Sequence, residues 1–113
     1  MTAGLLYELN KVPGVLGCAY VTPDATVTDL GEAVGGEQAA SRCREVVDAC
    51  RHWSESPTVA AMDGAVFVGE HGRVVVQPAG QGTLVAFAEN ATSAGLLRLK
   101  MRETSQQIKE MEG

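Results

Sequence analysis

The sequence predicts a mixed α/β domain in which helices cover both faces of an antiparallel sheet. Residues 65–88 hold three apolar runs, Ala65-Val66-Phe67-Val68, Val74-Val75-Val76 and Leu84-Val85-Ala86-Phe87-Ala88. Gly69-Glu70-His71-Gly72 and Ala79-Gly80-Gln81-Gly82 separate them. Short β-branched runs joined by glycine-bearing linkers of hairpin length read as a three-strand meander. These runs do not alternate apolar with polar, so the strands are expected to be covered on both faces. Amphipathic patterns before, between and after the strands supply the helices.

The elements follow in chain order. Thr2 is a candidate cap for a first helix, with Leu5, Leu6, Leu9 and Val12 on one side at helical spacing. Pro13-Gly14 ends it, because the residue before proline is pushed out of the helical region. Val15-Leu16-Gly17-Cys18-Ala19-Tyr20-Val21 is apolar on both faces and reads as a central strand. Pro23-Asp24-Ala25 turns the chain into the threonine-rich stretch 26–30, an edge strand, and 31–36 is a loop. Residues 37–56 form the second helix, on which Ala39, Cys43, Val46, Cys50 and Trp53 are spaced four, three, four, three. Ala40, Val47 and Ala49 widen that stripe beyond what lying on a sheet requires. Pro57 stops the helix. After the meander, a third helix over 92–111 carries Ala94, Leu97, Met101, Ile108 and Met111 on one face. Leu96 and Leu99 lie off that face, so its start is expected to be buried on two sides. At 113 residues the order helix, two strands, helix, three strands, helix makes one domain, residues 1–113.

Composition excludes several function classes. A net charge of -5 and no basic stripe argue against nucleic acid. No apolar stretch is long enough for a bilayer, which argues against membrane insertion. Three cysteines, Cys18, Cys43 and Cys50, are an odd number without a Cys-x-x-Cys pair, which favours reduced thiols and a cytoplasmic location. Asn90-Ala91-Thr92 matches a glycosylation sequon, which a cytoplasmic chain never presents to that machinery.

The search for chemistry is negative, and no catalytic residue, cofactor or metal is assigned. Gly31-Glu32-Ala33-Val34-Gly35-Gly36 lacks a following Gly-Lys-Ser/Thr, and Glu37 opposes a phosphate. His52 and His71 stand alone, without neighbours at ligand spacing. Cys43 and Cys50, seven apart on one helix, are about 10 Å from each other along its axis, beyond disulfide reach. Glu110 and Glu112 read as a solvated helix end.

The element order, the front stretch Leu9-Asn10-Lys11-Val12-Pro13-Gly14-Val15-Leu16-Gly17 and the back stretch Asn90-Ala91-Thr92-Ser93-Ala94-Gly95-Leu96-Leu97-Arg98-Leu99 resemble the roadblock/LC7 family over nearly the whole chain. Where that family often has an Asp-Gly turn after the first strand, Asp24 is followed here by Ala25. The resemblance implies an α-β-β-α-β-β-β-α order, with a five-stranded antiparallel sheet, the first and third helices on one face and the second on the other. It implies a dimer, either with itself or with a paralogous roadblock protein, through the third strand and second helix. The candidate interface residues are Ala39, Cys43, Val46, Val47, Cys50, Val66, Phe67 and Val68. On this reading Val47→Asp and Val66→Asp each split the dimer. It further implies a non-catalytic regulator or scaffold of a small Ras-like GTPase or other NTPase, like dynein light chains, lysosomal Rag scaffolds and a gliding-motility regulator. Arg42, Arg44, Asp48 and Arg51 are the candidate rim for that partner. The alternatives are a structural adaptor in a motor or signalling complex, and a profilin- or PAS-like small-molecule sensor. A sensor needs inward polar groups, for which Tyr20 and Thr83 are the best candidates.

Overall fold

The structure is a computed structural model and describes residues 2–24, 27–30, 37–55, 64–70, 72–90 and 92–112. Its elements are α1 (Thr2–Asn10), β1 (Val15–Val21), β2 (Val27–Leu30), α2 (Glu37–Ser54), β3 (Ala65–Val68), β4 (Arg73–Ala79), β5 (Gly82–Ala88) and α3 (Ala94–Glu112). The strands form one sheet in the order β2-β1-β5-β4-β3, with every neighbouring pair antiparallel. The expected loop at 31–36, the Pro57 helix stop, Ala25 and His71 lie outside the described residues.

Alternation along the strands divides the core in two, because successive side chains point to opposite faces. Cys18 and Tyr20 of β1, Val75 of β4, and Leu84 and Ala86 of β5 pack with Leu6 and Leu9 of α1 and with Leu97, Met101 and Ile108 of α3. Ala19, Val21 and Val85 point the other way, onto Cys43 and Val47 of α2. Burial of side chains this size stabilises by about 1.5–3 kcal/mol each, and α3 contributes three of them to the larger cluster.

The α1–β1 turn needs its glycine. Gly14 has φ 90°, a region L side chains rarely adopt, and a Cβ there would overlap Thr92 Oγ1. Its carbonyl also accepts the Glu89 N–H at 2.9 Å, tying the turn to the end of β5. Gly14→Ala is expected to lower stability by about 1–3 kcal/mol, read as a shift in the urea midpoint without a change in slope.

Several expectations are corrected. Thr2 opens α1 instead of preceding it, and Val12 lies beyond the helix, though it is buried. Leu96 and Leu99 are 47% and 56% exposed, so the start of α3 is not buried on two sides. The sheet takes only Leu97, Met101, Thr104 and Ile108 of α3, and the nine-residue α1 lies over β1 and β2. Ala94 and Met111 are likewise exposed, as is Trp53 at the end of α2. Scattered exposed leucines are ordinary on folded surfaces. The rule that an apolar strand is covered on both faces fails at β3, where Val66, Phe67 and Val68 are all exposed.

Candidate functional site

The candidate surface begins at β3. Among the described residues this strand is the last in the sheet and pairs only with β4, in the register Ala65↔Val76, Val66↔Val75, Phe67↔Val74, Val68↔Arg73. Val66 and Val68 therefore share the face of Val75, on the α1/α3 side, and Phe67 lies with Val74 on the α2 side. Their exposures are 42% for Val66, 42% for Phe67 and 74% for Val68. A row of unpaired backbone groups carrying three large apolar side chains is an aggregation liability unless another strand pairs with it.

The second helix divides into two parts. Cys43 and Val47 are 1% and 5% exposed against the chain's own sheet, which removes them from the candidate interface. Of a stripe wide enough to serve both core and partner, these two residues are the core half. Val46 and Cys50 are half-buried and remain on the surface side, while the side chain of Ala39 lies outside the described residues. An apolar cleft of about 110 Å³ lies beside the helix, with Val47, Cys50, Val76, Pro78 and Thr83 in its walls. This is small against the 300–1,000 Å³ of ordinary ligand sites.

The charged candidates are only partly brought together. Arg44, Asp48 and Arg51 share a shallow indentation with Val21, Thr22 and Pro23, and Arg42 does not. Arg51 Nη1 stands 4.0 Å from Asp48 Oδ1, both largely exposed, so this pair contributes little. Among the described residues no group of three or more His, Cys, Asp and Glu is placed to hold a metal ion. Among the same residues no helix is long and apolar enough to cross a membrane.

Sequence reasoning missed a polar tie at the far end of α3. Tyr20 Oη accepts the Gly82 N–H at 3.0 Å, and its proton is shared between the Ala79 carbonyl at 2.9 Å and Glu112 Oε1 at 3.0 Å. Glu112 Oε2 accepts the Gln81 N–H at 2.9 Å. Glu112 is therefore no merely solvated helix end: it fastens α3 to the β4–β5 turn. Burial, and then the Glu112 carboxylate, push the Tyr20 phenol above its ordinary pKa. Tyr20 is thus used in the fold and is not an inward group waiting for a ligand. No sequence spacing links residues 20 and 112, which only the topology brings together.

The cysteines are graded by burial. Cys18 is fully buried, donates its S–H to the Leu6 carbonyl at 3.2 Å, and is pushed up to about 12 by desolvation. Burial raises half-buried Cys50 as well. In the unfolded chain a thiol titrates near 8.5. Between that value and about 12 the unfolded chain holds fewer protons than the folded one, so stability falls as pH rises through this window. The full loss from Cys18 is about 5 kcal/mol, and Cys18→Ala should flatten the pH dependence of urea midpoints above pH 8.5. In native protein, iodoacetamide should modify Cys50 well before Cys18 or Cys43.

No family model matches the chain. It is 28% identical over 109 residues to the uncharacterised protein MJ1340 of Methanocaldococcus jannaschii, covering 95% of this chain and 96% of that one. In structure it is similar to Myxococcus xanthus MglB, with a TM-score of 0.83 at 18% identity over 97% of this chain and 93% of that one. It is also similar to a roadblock/LC7 domain from Streptomyces avermitilis, with a TM-score of 0.80 at 16% identity over 96% and 94%. With three helices on one antiparallel sheet and this agreement over nearly its whole length, the chain has the roadblock/LC7 fold.

Proposed function

We propose that this chain, as a single domain, is a non-catalytic regulator or scaffold of a small Ras-like GTPase or another NTPase. It works as a homodimer or paired with a paralogous roadblock protein, in the cytoplasm, without a cofactor. The observation that carries the reading is the β3 edge, unpaired on its outer side among the described residues, with Val66, Phe67 and Val68 exposed; the half-buried Val46 and Cys50 of α2 add a second apolar surface. The structural likeness to MglB supports it at the level of fold. The surface acts by holding one conformation of the partner's switch region, so any change in hydrolysis comes from a population shift and not from a donated group. Arg44, Asp48 and Arg51 are the rim offered to that partner.

A native pull-down with tagged protein, with and without a GTP analogue, tests this reading. Enrichment of a small GTPase in one nucleotide state is expected. Recovery of a motor or kinase subunit indifferent to nucleotide would move the chain to the adaptor class. The sensor reading is the weaker one, because the Tyr20 hydroxyl is already bonded to the Ala79 carbonyl and the Glu112 carboxylate.

A further inference from the structure

We infer that the groove between α3 and β4 binds an acidic peptide segment of a partner protein. Two observations point there: a polar groove of about 400 Å³, and two cations without a carboxylate partner on one wall of it. Arg102, Ser105, Gln106 and Lys109 of α3 form that wall, and Gln77 and Pro78 of β4 form the other. No carboxylate lines the groove, in a chain whose net charge is -5. Among the described residues neither Arg102 nor Lys109 enters an ion pair, whereas Lys100 on another side of α3 stands 3.7 Å from Glu103. Both unpaired cations are exposed.

The groove is held in shape before any ligand arrives. Ser105 Oγ donates to the Pro78 carbonyl at 2.6 Å, pinning α3 to β4. The Tyr20–Glu112–Gln81 tie fixes the helix end beyond it, and there the Glu112 carboxylate is turned to the Tyr20 hydroxyl and the Gln81 N–H. A site whose walls do not rearrange loses less on binding. The Gln106 amide points to Glu110, at 3.3 Å, and the Gln77 side chain is half-buried in the opposite wall.

The spacing selects the ligand. Arg102 and Lys109 are seven residues apart, about 10 Å along the helix axis. In a polyproline II segment, residues three apart recur on one edge about 9 Å from each other. An extended peptide with acidic residues at i and i+3 therefore meets both cations. A small anion fills only part of the groove, and a nucleic acid meets the repulsion of a net negative chain. None of the lining residues lies on β3 or α2, so this site stands or falls apart from self-association.

The test uses fluorescence anisotropy with a labelled proline-rich peptide carrying glutamates at i and i+3, and a twin carrying glutamines. The glutamate peptide should bind at least about tenfold more tightly, and more weakly as salt rises from about 50 to 200 mM. Arg102→Glu with Lys109→Glu should cost about tenfold or more, while Lys11→Glu just beyond α1 should leave binding unchanged. Both substitutions are on exposed residues, and Arg102→Gln with Lys109→Gln serves if the reversal variant unfolds. Equal binding of the two peptides, indifference to the groove variants, or full displacement by equimolar inorganic phosphate would overturn the assignment.

Discussion

Val47→Asp will unfold the chain instead of splitting an assembly. Val47 is 5% exposed, packs with Ala19, Val21 and Val85, and lies one turn from Cys43 at 1%. This cluster is the whole of the buried apolar contact between α2 and the sheet among the described residues. A carboxylate placed there is pressed against the apolar Ala19, Val21 and Val85, while Arg44 and Arg51, which line an indentation with Val47, lie toward solvent; it therefore desolvates with at most partial compensation or is protonated, each at a large free-energy cost. Burying an unpaired charge costs at least about 4 kcal/mol, against about 5–15 kcal/mol for a whole domain. Circular dichroism should show α2 signal lost and no cooperative thermal transition, or one lowered by well over 10 °C. A Val47→Asp variant that melts normally as a monomer would put Val47 at an interface and refute the packing described for α2.

Val47 lies where a helical period no longer specifies the contact a side chain makes. Period and punctuation gave the element order correctly, because each signal is local: Pro13-Gly14 closes α1, and the glycine-bearing linkers close the strands. The width of the α2 stripe was visible too. What a stripe cannot say is which half faces its own sheet, since Cys43, Val46, Val47 and Cys50 are all apolar and differ only in rotation about the axis. Leu96 and Leu99 are a related case: they are apolar yet 47% and 56% exposed, because apolarity does not by itself imply burial. The Tyr20–Glu112 tie and the Arg102–Lys109 groove bring together residues from distant segments or give ordinary surface charges a shared wall. Such juxtapositions are properties of the topology and leave no spacing to find.

Val66→Asp combined with Val68→Asp should abolish self-association and leave the fold intact. Both side chains already meet water, at 42% and 74% exposure, so each carboxylate is solvated in the isolated chain and stability should move by less than about 1 kcal/mol. The effect falls on the associated state. Two copies pairing along β3 bring four carboxylates onto one face of a single ladder, because residues two apart in a strand share a face. Like charges facing one another across paired strands oppose the pairing, and the apolar burial that favoured it is gone. A weakening of at least about 100-fold, or roughly 3 kcal/mol, is expected. Light scattering coupled to size exclusion should find a dimer for the natural chain and a monomer for the double variant, with matching urea midpoints at low concentration. Edge strands of monomeric proteins are commonly guarded by lysine, proline or a bulge, and Ala65-Val66-Phe67-Val68 carries no charge or proline, while its register with β4 is unbroken. A natural chain that stays monomeric at high concentration, or a double variant that remains a dimer, would remove β3 from the interface and with it the observation on which the proposed function rests.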